Sequence, residues 1–295
     1  EGSKVDFSTA CRIENRRFAH LVCSNKAKNM ISTFWMDYHS IKKGINRPKG
    51  YGKFRVRKVG IIGSGRMGSG ITLSCIQNGL SVVLKDVSKA IAERGREYVS
   101  QRIDDLIREG TFHATEKKEI MERLVTTEKA TDFADCDIVI EAVFENQQLK
   151  QKVTREAEDQ MDNYSIIGTN TVSIPIAELG KALRRPQNYV GLHFFPPAER
   201  VPLVEIVAGA NTSDETVARA IDFVQRIMKI PIVVKDIWGF YAARVQNTYI
   251  LEGISMLKEG YPPALIENSG RQLGLPNGPL ELADAMGLQL VLKYE

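Results

Sequence analysis

His193 follows the apolar run Tyr189-Val190-Gly191-Leu192, and Glu205 comes twelve residues later inside a second run, Leu203-Val204-Glu205-Ile206-Val207. A carboxylate in an apolar strand must be paired, because burying it alone is very costly. A protonatable imidazole would satisfy it. Glu205 would then fix the ring tautomer and raise its basicity above the reference pKa of about 6.5, which makes a general base. The same letters fit a satisfied core histidine and a glutamate that points to solvent. On spacing alone both readings stand.

A second constellation begins at Lys58-Val59-Gly60-Ile61-Ile62 and continues Gly63-Ser64-Gly65-Arg66-Met67-Gly68. An apolar strand pattern precedes this turn and an apolar-periodic helix follows it. In that setting Gly63 permits the tight turn, Gly65 lets the backbone approach a pyrophosphate, and Gly68 lets helix and strand pack closely. The phosphate would sit at the helix N-terminus, where unpaired N–H groups and the positive dipole end favour an anion. The next apolar run ends Leu84-Lys85-Asp86, which puts Asp86 23 residues after Gly63. An acid at that distance meets a ribose hydroxyl pair. Its charge would repel a 2′-phosphate, so NAD is expected rather than NADP. The alternative is a surface aspartate beside a structural glycine turn.

The elements that must position these groups alternate along residues 58 to 237. Short apolar runs at 59–62, 81–84, 137–140, 165–167, 189–192, 203–207 and 232–234 read as strands. Helical patterns fall between several of them, at 67–79, 88–109, 116–124, 147–161, 174–183 and 213–229. The alternation predicts an α/β fold with a mostly parallel sheet covered on both faces. Residues 238–295 show helical periods and no convincing strand, around Tyr249 to Leu257 and again from Leu282 to Leu292, and read as a smaller all-helical C-terminal domain. Residues 1–57 read as a helix followed by a basic linker, with Phe18, Leu21, Val22, Met30, Phe34, Trp35, Tyr38 and Ile41 at roughly helical spacing.

Composition narrows the function classes. The chain has 295 residues, 43% hydrophobic and 26% charged, long enough to bury a core without disulfides. No apolar run is long enough for a transmembrane helix. The net charge of +4 is uneven: residues 42–58 hold eight basic residues and no acidic one. Such a stretch can bind nucleic acid, but Gly44, Pro48, Gly50 and Gly52 interrupt it, and it reads as a solvated linker with no nucleic-acid partner. Cys11, Cys23, Cys75 and Cys136 form no CxxC pair, and the four histidines show no metal-ligand spacing, so no metal site is expected. Scattered cysteines of this kind predict reduced thiols and an intracellular protein. The chain begins at Glu1 and ends Lys293-Tyr294-Glu295. An intracellular site is expected: the peroxisome or mitochondrial matrix in a eukaryote, the cytoplasm in a bacterium.

The segments Lys58–Asp86, Ile140–Asn146, Gly168–Ser173, Gly191–Val207, Ile232–Arg244 and Gly274–Gly287 together resemble the L-3-hydroxyacyl-CoA dehydrogenase family, above all the dehydrogenase part of multifunctional fatty-acid β-oxidation enzymes. The order and spacing hold over roughly residues 57 to 290. Residues 12–41 resemble the segment that joins the enoyl-CoA hydratase part of such enzymes to the dehydrogenase part; with no hydratase body ahead of it, no hydratase activity is expected. The resemblance implies a Rossmann-type NAD-binding domain over 58–237, a helical dimerisation domain over 238–295 cut short at Glu295, and an acyl-CoA substrate in the cleft between them. It places the catalytic pair on His193 and Glu205. It places cofactor contacts on Gly63, Gly65, Gly68, Asp86, Glu145, Lys150 and Asn170, and a substrate contact on Ser173. Without the resemblance, Lys150 reads as a solvated helix residue.

The chain departs from the family's pattern at several positions. Val172 stands where the family has a substrate-binding hydroxyl. Pro196 stands where it has an asparagine. Trp238 replaces a proline and Ala243 the asparagine that polarises the substrate carbonyl. Losing one preorganised donor at a developing oxyanion costs about 3–4 kcal/mol, or roughly 10²–10³ in rate. The resemblance therefore leaves three expectations: a 3-hydroxyacyl-CoA dehydrogenase slowed by these losses, a non-catalytic NAD- or acyl-CoA-binding protein of the same fold, and a dehydrogenase for another hydroxy acid.

Overall fold

The computed structural model describes residues 2–287. The chain divides into two units, one up to Arg47 and one from Pro48 onward. The first holds α1 (Phe7–Cys23), α2 (Asn25–Met30), a π-helical stretch over Ile31–Asp37, and α3 (Tyr38–Lys42). The single helix expected here is broken at Ser24. Its hydroxyl donates to the Leu21 carbonyl at 2.6 Å and accepts from the Ala27 N–H at 3.1 Å, so one side chain ends α1 and caps α2.

The second unit is built on one eight-stranded sheet of β1 (Lys58–Ile62), β2 (Ser81–Lys85), β3 (Leu124–Thr127), β4 (Ile138–Glu141), β5 (Ile166–Thr169), β6 (Tyr189–Phe194), β7 (Leu203–Ala208) and β8 (Ile230–Lys235). The strand order is β3-β2-β1-β4-β5-β6-β7-β8. Every pair is parallel except β6 with β7. Both faces are buried. Ile61 and Ile140 belong to one core cluster, while their neighbours Ile62 and Val139 belong to another on the opposite face. The covering helices are α4 (Arg66–Ile76), α5 (Lys89–Arg108), α6 (Glu116–Glu122), α7 (Gln147–Glu158), α8 (Ile176–Gly180) and α9 (Asp214–Arg226). The expected α/β architecture is therefore present.

Among the sheet's elements, one differs from expectation. β3 falls where the helical reading of 116–124 runs into Leu124; α6 stops at Glu122 and a four-residue edge strand follows. After β8 the chain is helical, as expected: α10 (Ala242–Lys258), α11 (Pro263–Gln272) and α12 (Pro279–Met286). The helix expected over 282–292 extends past Gly287 and so lies partly outside the described residues. Among the described residues no helix is long and apolar enough to cross a membrane. Cys75 and Cys136 are buried, and burial pushes both thiols up to about 12.

Candidate active site

The antiparallel pairing of β6 and β7 sets His193 directly opposite Glu205. Residues opposite each other in a ladder share a face, so their side chains meet. His193 Nδ1 donates to Glu205 Oε2 at 2.6 Å, with the imidazole 7% and the carboxylate 0% exposed. The reading in which Glu205 points to solvent is thus excluded.

The other carboxylate oxygen, Oε1, accepts the backbone N–H groups of Tyr241 at 3.0 Å and Ala242 at 2.8 Å. These amides open α10, so Glu205 caps a helix from another element and gains from its dipole. Burial pushes the Glu205 carboxyl up, but the hydrogen bonds from His193, Ala242 and Tyr241 outweigh it and hold the group below its ordinary range. An ionised Glu205 keeps the Nδ1 proton on the ring, and Nε2 then carries the lone pair. The rings of Phe195 and Phe240 flank the imidazole at 4.5 and 5.8 Å between centroids.

At the glycine turn each glycine is needed for its own reason. Gly63 has φ +98°, a conformation other residues adopt only with strain. A Cβ on Gly68 would lie 1.8 Å from the Gly63 carbonyl oxygen, so only glycine lets α4 pack on the turn. A Cβ on Gly65 would meet nothing within 4 Å. Internal packing therefore does not require Gly65; its bare backbone fronts open space at the N-terminus of α4, as a diphosphate would need. Gly63, Gly65 and Asp86 line one groove of about 640 Å³. Asp86 accepts from the Ser64 N–H at 2.7 Å and its hydroxyl at 2.6 Å. Burial raises the Asp86 carboxyl, but the Ser64 and Val87 hydrogen bonds hold it below its ordinary value. The chain's residues thus fit a dinucleotide with free ribose hydroxyls.

Glu145, Lys150 and Ser173 come together beside the sheet. Lys150 is 0% exposed, which rules out the solvated reading. Its Nζ reaches Glu141 Oε1 at 3.0 Å and Glu145 Oε2 at 3.3 Å. Glu145 Oε1 accepts from the Thr171 hydroxyl, the Val172 and Ser173 N–H groups and the Ser173 hydroxyl at 2.6–3.1 Å. Burial opposes the Glu145 charge, but Lys150 and these donors hold its carboxyl down at about 2. Asn170 uses its side-chain oxygen to accept the Phe194 N–H at 2.9 Å, tying this loop to the strand of His193. The sequence reading misses Glu141 and Ser64 in these roles. Glu141 carries a signal like that of Glu205, an acid in an apolar strand, and could have been found by it.

Residues 58–237 match the family model "3-hydroxyacyl-CoA dehydrogenase, NAD binding domain", and residues 239–294 match "3-hydroxyacyl-CoA dehydrogenase, C-terminal domain". The chain belongs to the 3-hydroxyacyl-CoA dehydrogenase family. It is 32% identical over 294 residues to the fatty acid oxidation complex subunit alpha of Shewanella baltica, a match covering 99% of this chain and 41% of that one. The chain thus spans about two fifths of the length of such relatives. Among solved structures, the (S)-3-hydroxybutyryl-CoA dehydrogenase of Ralstonia eutropha is 35% identical with a TM-score of 0.78, covering 81% of this chain and 86% of that one. The 3-hydroxybutyryl-CoA dehydrogenase of Escherichia coli K12 is 30% identical with a TM-score of 0.78, covering 82% and 52% respectively.

Proposed function

We propose that the chain catalyses NAD-dependent oxidation of L-3-hydroxyacyl-CoA to 3-ketoacyl-CoA in fatty-acid β-oxidation. The observation that carries this reading is the buried 2.6 Å pair of His193 and Glu205 in a family member that keeps the glycine turn and its ribose-binding acid. Bound NAD supplies the hydride acceptor. His193 Nε2 takes the proton of the 3-hydroxyl as the C3–H bond gives up its electron pair and C3–O becomes a carbonyl. Glu205 compensates the imidazolium that forms and holds the ring in place. Asp86 orients the cofactor through its ribose, and Gly65 lets the backbone meet the diphosphate. Glu145, supported by Lys150, shapes the loop of Asn170 and Ser173 against the reacting end.

The test is NADH consumption with 3-ketoacyl-CoA substrates of several chain lengths. Turnover that falls about 10³-fold in His193→Gln, with NADH affinity unchanged, supports the reading. No turnover above the no-enzyme rate, with NADH shown to bind, refutes it. That outcome would select the second reading, a non-catalytic NAD- or acyl-CoA-binding protein, which Val172, Pro196 and Ala243 favour because each removes a polar group that the family pattern supplies.

A homodimer formed through the C-terminal helices belongs to the same proposal. Exposed Tyr241, Val245, Leu257 and Leu265 on α10, α11 and the approach to them support it. Light scattering at micromolar concentration would show twice the chain mass, and a monomer would refute it. The bacterial fatty acid oxidation relatives support a cytoplasmic site of action.

A further inference from the structure

Residues 195–202 join the strand of His193 to the strand of Glu205, so their path decides whether the two side chains face each other. The segment begins with Phe195, whose ring lies on His193. Besides the exposed Arg200–Glu109 pair at 2.6 Å, three contacts pin the rest of the segment. Ser74 Oγ on α4 approaches the Ala198 carbonyl at 3.4 Å. Lys229 Nζ donates to the Val201 carbonyl at 2.7 Å. Between these points Glu199, its side chain only 4% exposed, accepts from Arg102 Nε of α5 at 3.1 Å, and Arg102 is itself held by Asp105 at 2.5 Å.

Glu199 also fits a notch in α4. A Cβ on Gly70 would lie 2.7 Å from its carboxylate oxygen and 3.1 Å from Ala198 Cβ. Both helices it touches bear on the cofactor turn. α4 starts at that turn, and α5 packs on it so closely that a Cβ on Gly95 would lie 2.6 Å from Ser64 Cβ. Burial lowers the Lys229 ammonium, and the Glu199 charge works against that shift. An exposed ion pair would add little, but a charge this buried holds its surroundings to one geometry.

We propose that Glu199 is a positioning residue for the dehydrogenase chemistry: through Arg102 and the Gly70 notch it locks the loop behind His193 to the two helices that shape the cofactor turn. The proposal rests on the dehydrogenase reading above.

The experiment compares Glu199→Ala, Glu199→Gln, Gly70→Ala and the Gly70→Ala/Glu199→Ala double variant. It measures kcat with saturating 3-ketoacyl-CoA, NADH affinity by fluorescence titration, and the His193 ring resonances by NMR, assigned with His193→Gln. Because a small misplacement of a base is costly, Glu199→Ala should lose about 10-fold in kcat while NADH affinity stays within about 2-fold. Gly70→Ala should lose as much, since its methyl displaces the carboxylate. The double variant should lose no more than either single one, because both disrupt one contact. Glu199→Gln, which keeps the shape and not the charge, should fall between native and Ala. Native kcat in Glu199→Ala, or losses that multiply in the double variant, would overturn the proposal. Should the native chain show no turnover, the dehydrogenase reading fails by itself. The positioning claim is then decided by the His193 resonances, which Glu199→Ala must move. Should Glu199→Ala not fold, the Gln and Gly70→Ala variants decide the same question.

Discussion

Two carboxylates lie fully buried near the carboxyl ends of the parallel strands, Glu141 closing β4 and Glu205 within β7. Their surroundings are alike in number of donors. Glu141 receives Lys150 on both oxygens at 3.0 and 3.2 Å, the Val143 N–H at 2.7 Å and the Thr169 hydroxyl at 2.6 Å. Glu205 receives His193 and two helix amides. The partner makes the difference. Lys150 is enclosed, and its Nζ donates to Glu141, Glu145 and the Val143 carbonyl, so the Glu141–Lys150 pair can only hold structure. The His193 imidazole has a second nitrogen, so Glu205 supports a group that can exchange a proton at Nε2 while Nδ1 stays bonded. A buried acid of this kind serves catalysis or architecture according to whether its partner has a second site for proton exchange.

The strongest way to break this contrast is to neutralise the acid on the proposed catalytic side. Glu205→Gln keeps the volume and the α10 contacts. It removes the charge that fixes the ring tautomer and compensates the imidazolium. Turnover should fall by about 10³-fold or more with NADH affinity preserved. A loss under tenfold would place Glu205 with Glu141, as architecture.

The matching change on the other side is Lys150→Met. It strands two carboxylates, and breaking a buried pair from one side costs about 3–5 kcal/mol, read as a lower urea midpoint. The apolar double variant Glu141→Leu/Lys150→Met should recover part of that loss, since a well-packed apolar pair can replace a buried ion pair. If Lys150→Met unfolds at the native midpoint, the pair holds nothing.

Acid titration separates the two sides more finely. The Glu145 carboxyl sits at about 2 against an ordinary 4.5, and Glu205 is also held low. A carboxyl whose folded value lies below its unfolded one adds stability that is fully present above the unfolded value and is lost as pH falls through the folded one. The urea midpoint should therefore decline from about pH 4.5 toward pH 2. Glu145→Gln should start from a lower midpoint and decline less. An identical slope in both proteins would show that Glu145 gains nothing from Lys150 and the 171–173 loop.

Much of this contrast was legible in the residues. Parallel strands buried on both faces read as unbroken apolar runs, so seven of the eight strands stood out, and an acid inside such a run flagged Glu205. β3 was hidden because Leu124-Val125-Thr126-Thr127 is a short edge strand directly behind a helix whose pattern runs into it. α11 was hidden because its large apolar residues, Leu265 and Ile266, are too few for a clear period. The antiparallel turn of the sheet was legible but unread. The link from Phe194 to Leu203 is shorter than the dozen or so residues a parallel crossover needs. Lys150 could not be read, because nothing local marks which helical lysine will meet a buried acid nine residues before it.

The smallest effect tests where the two regions meet. Glu145, braced by Lys150, takes the backbone N–H groups of Val172 and Ser173 and the Ser173 hydroxyl, so this loop's donors already serve the architectural cluster. Val172 adds an isopropyl group where the family pattern has a substrate-binding hydroxyl. Val172→Ser should raise kcat about 10-fold, below the full worth of an oxyanion donor because the family's asparagine at 243 stays lost. The urea midpoint should hardly move, since Val172 is only half-buried and its N–H bond to Glu145 is kept. A gain in kcat would show that the architectural cluster places the loop correctly and that only the side chain is missing. An unchanged kcat beside a competent His193 and Glu205 would show that the loop, held by Glu145, does not face the reacting oxygen.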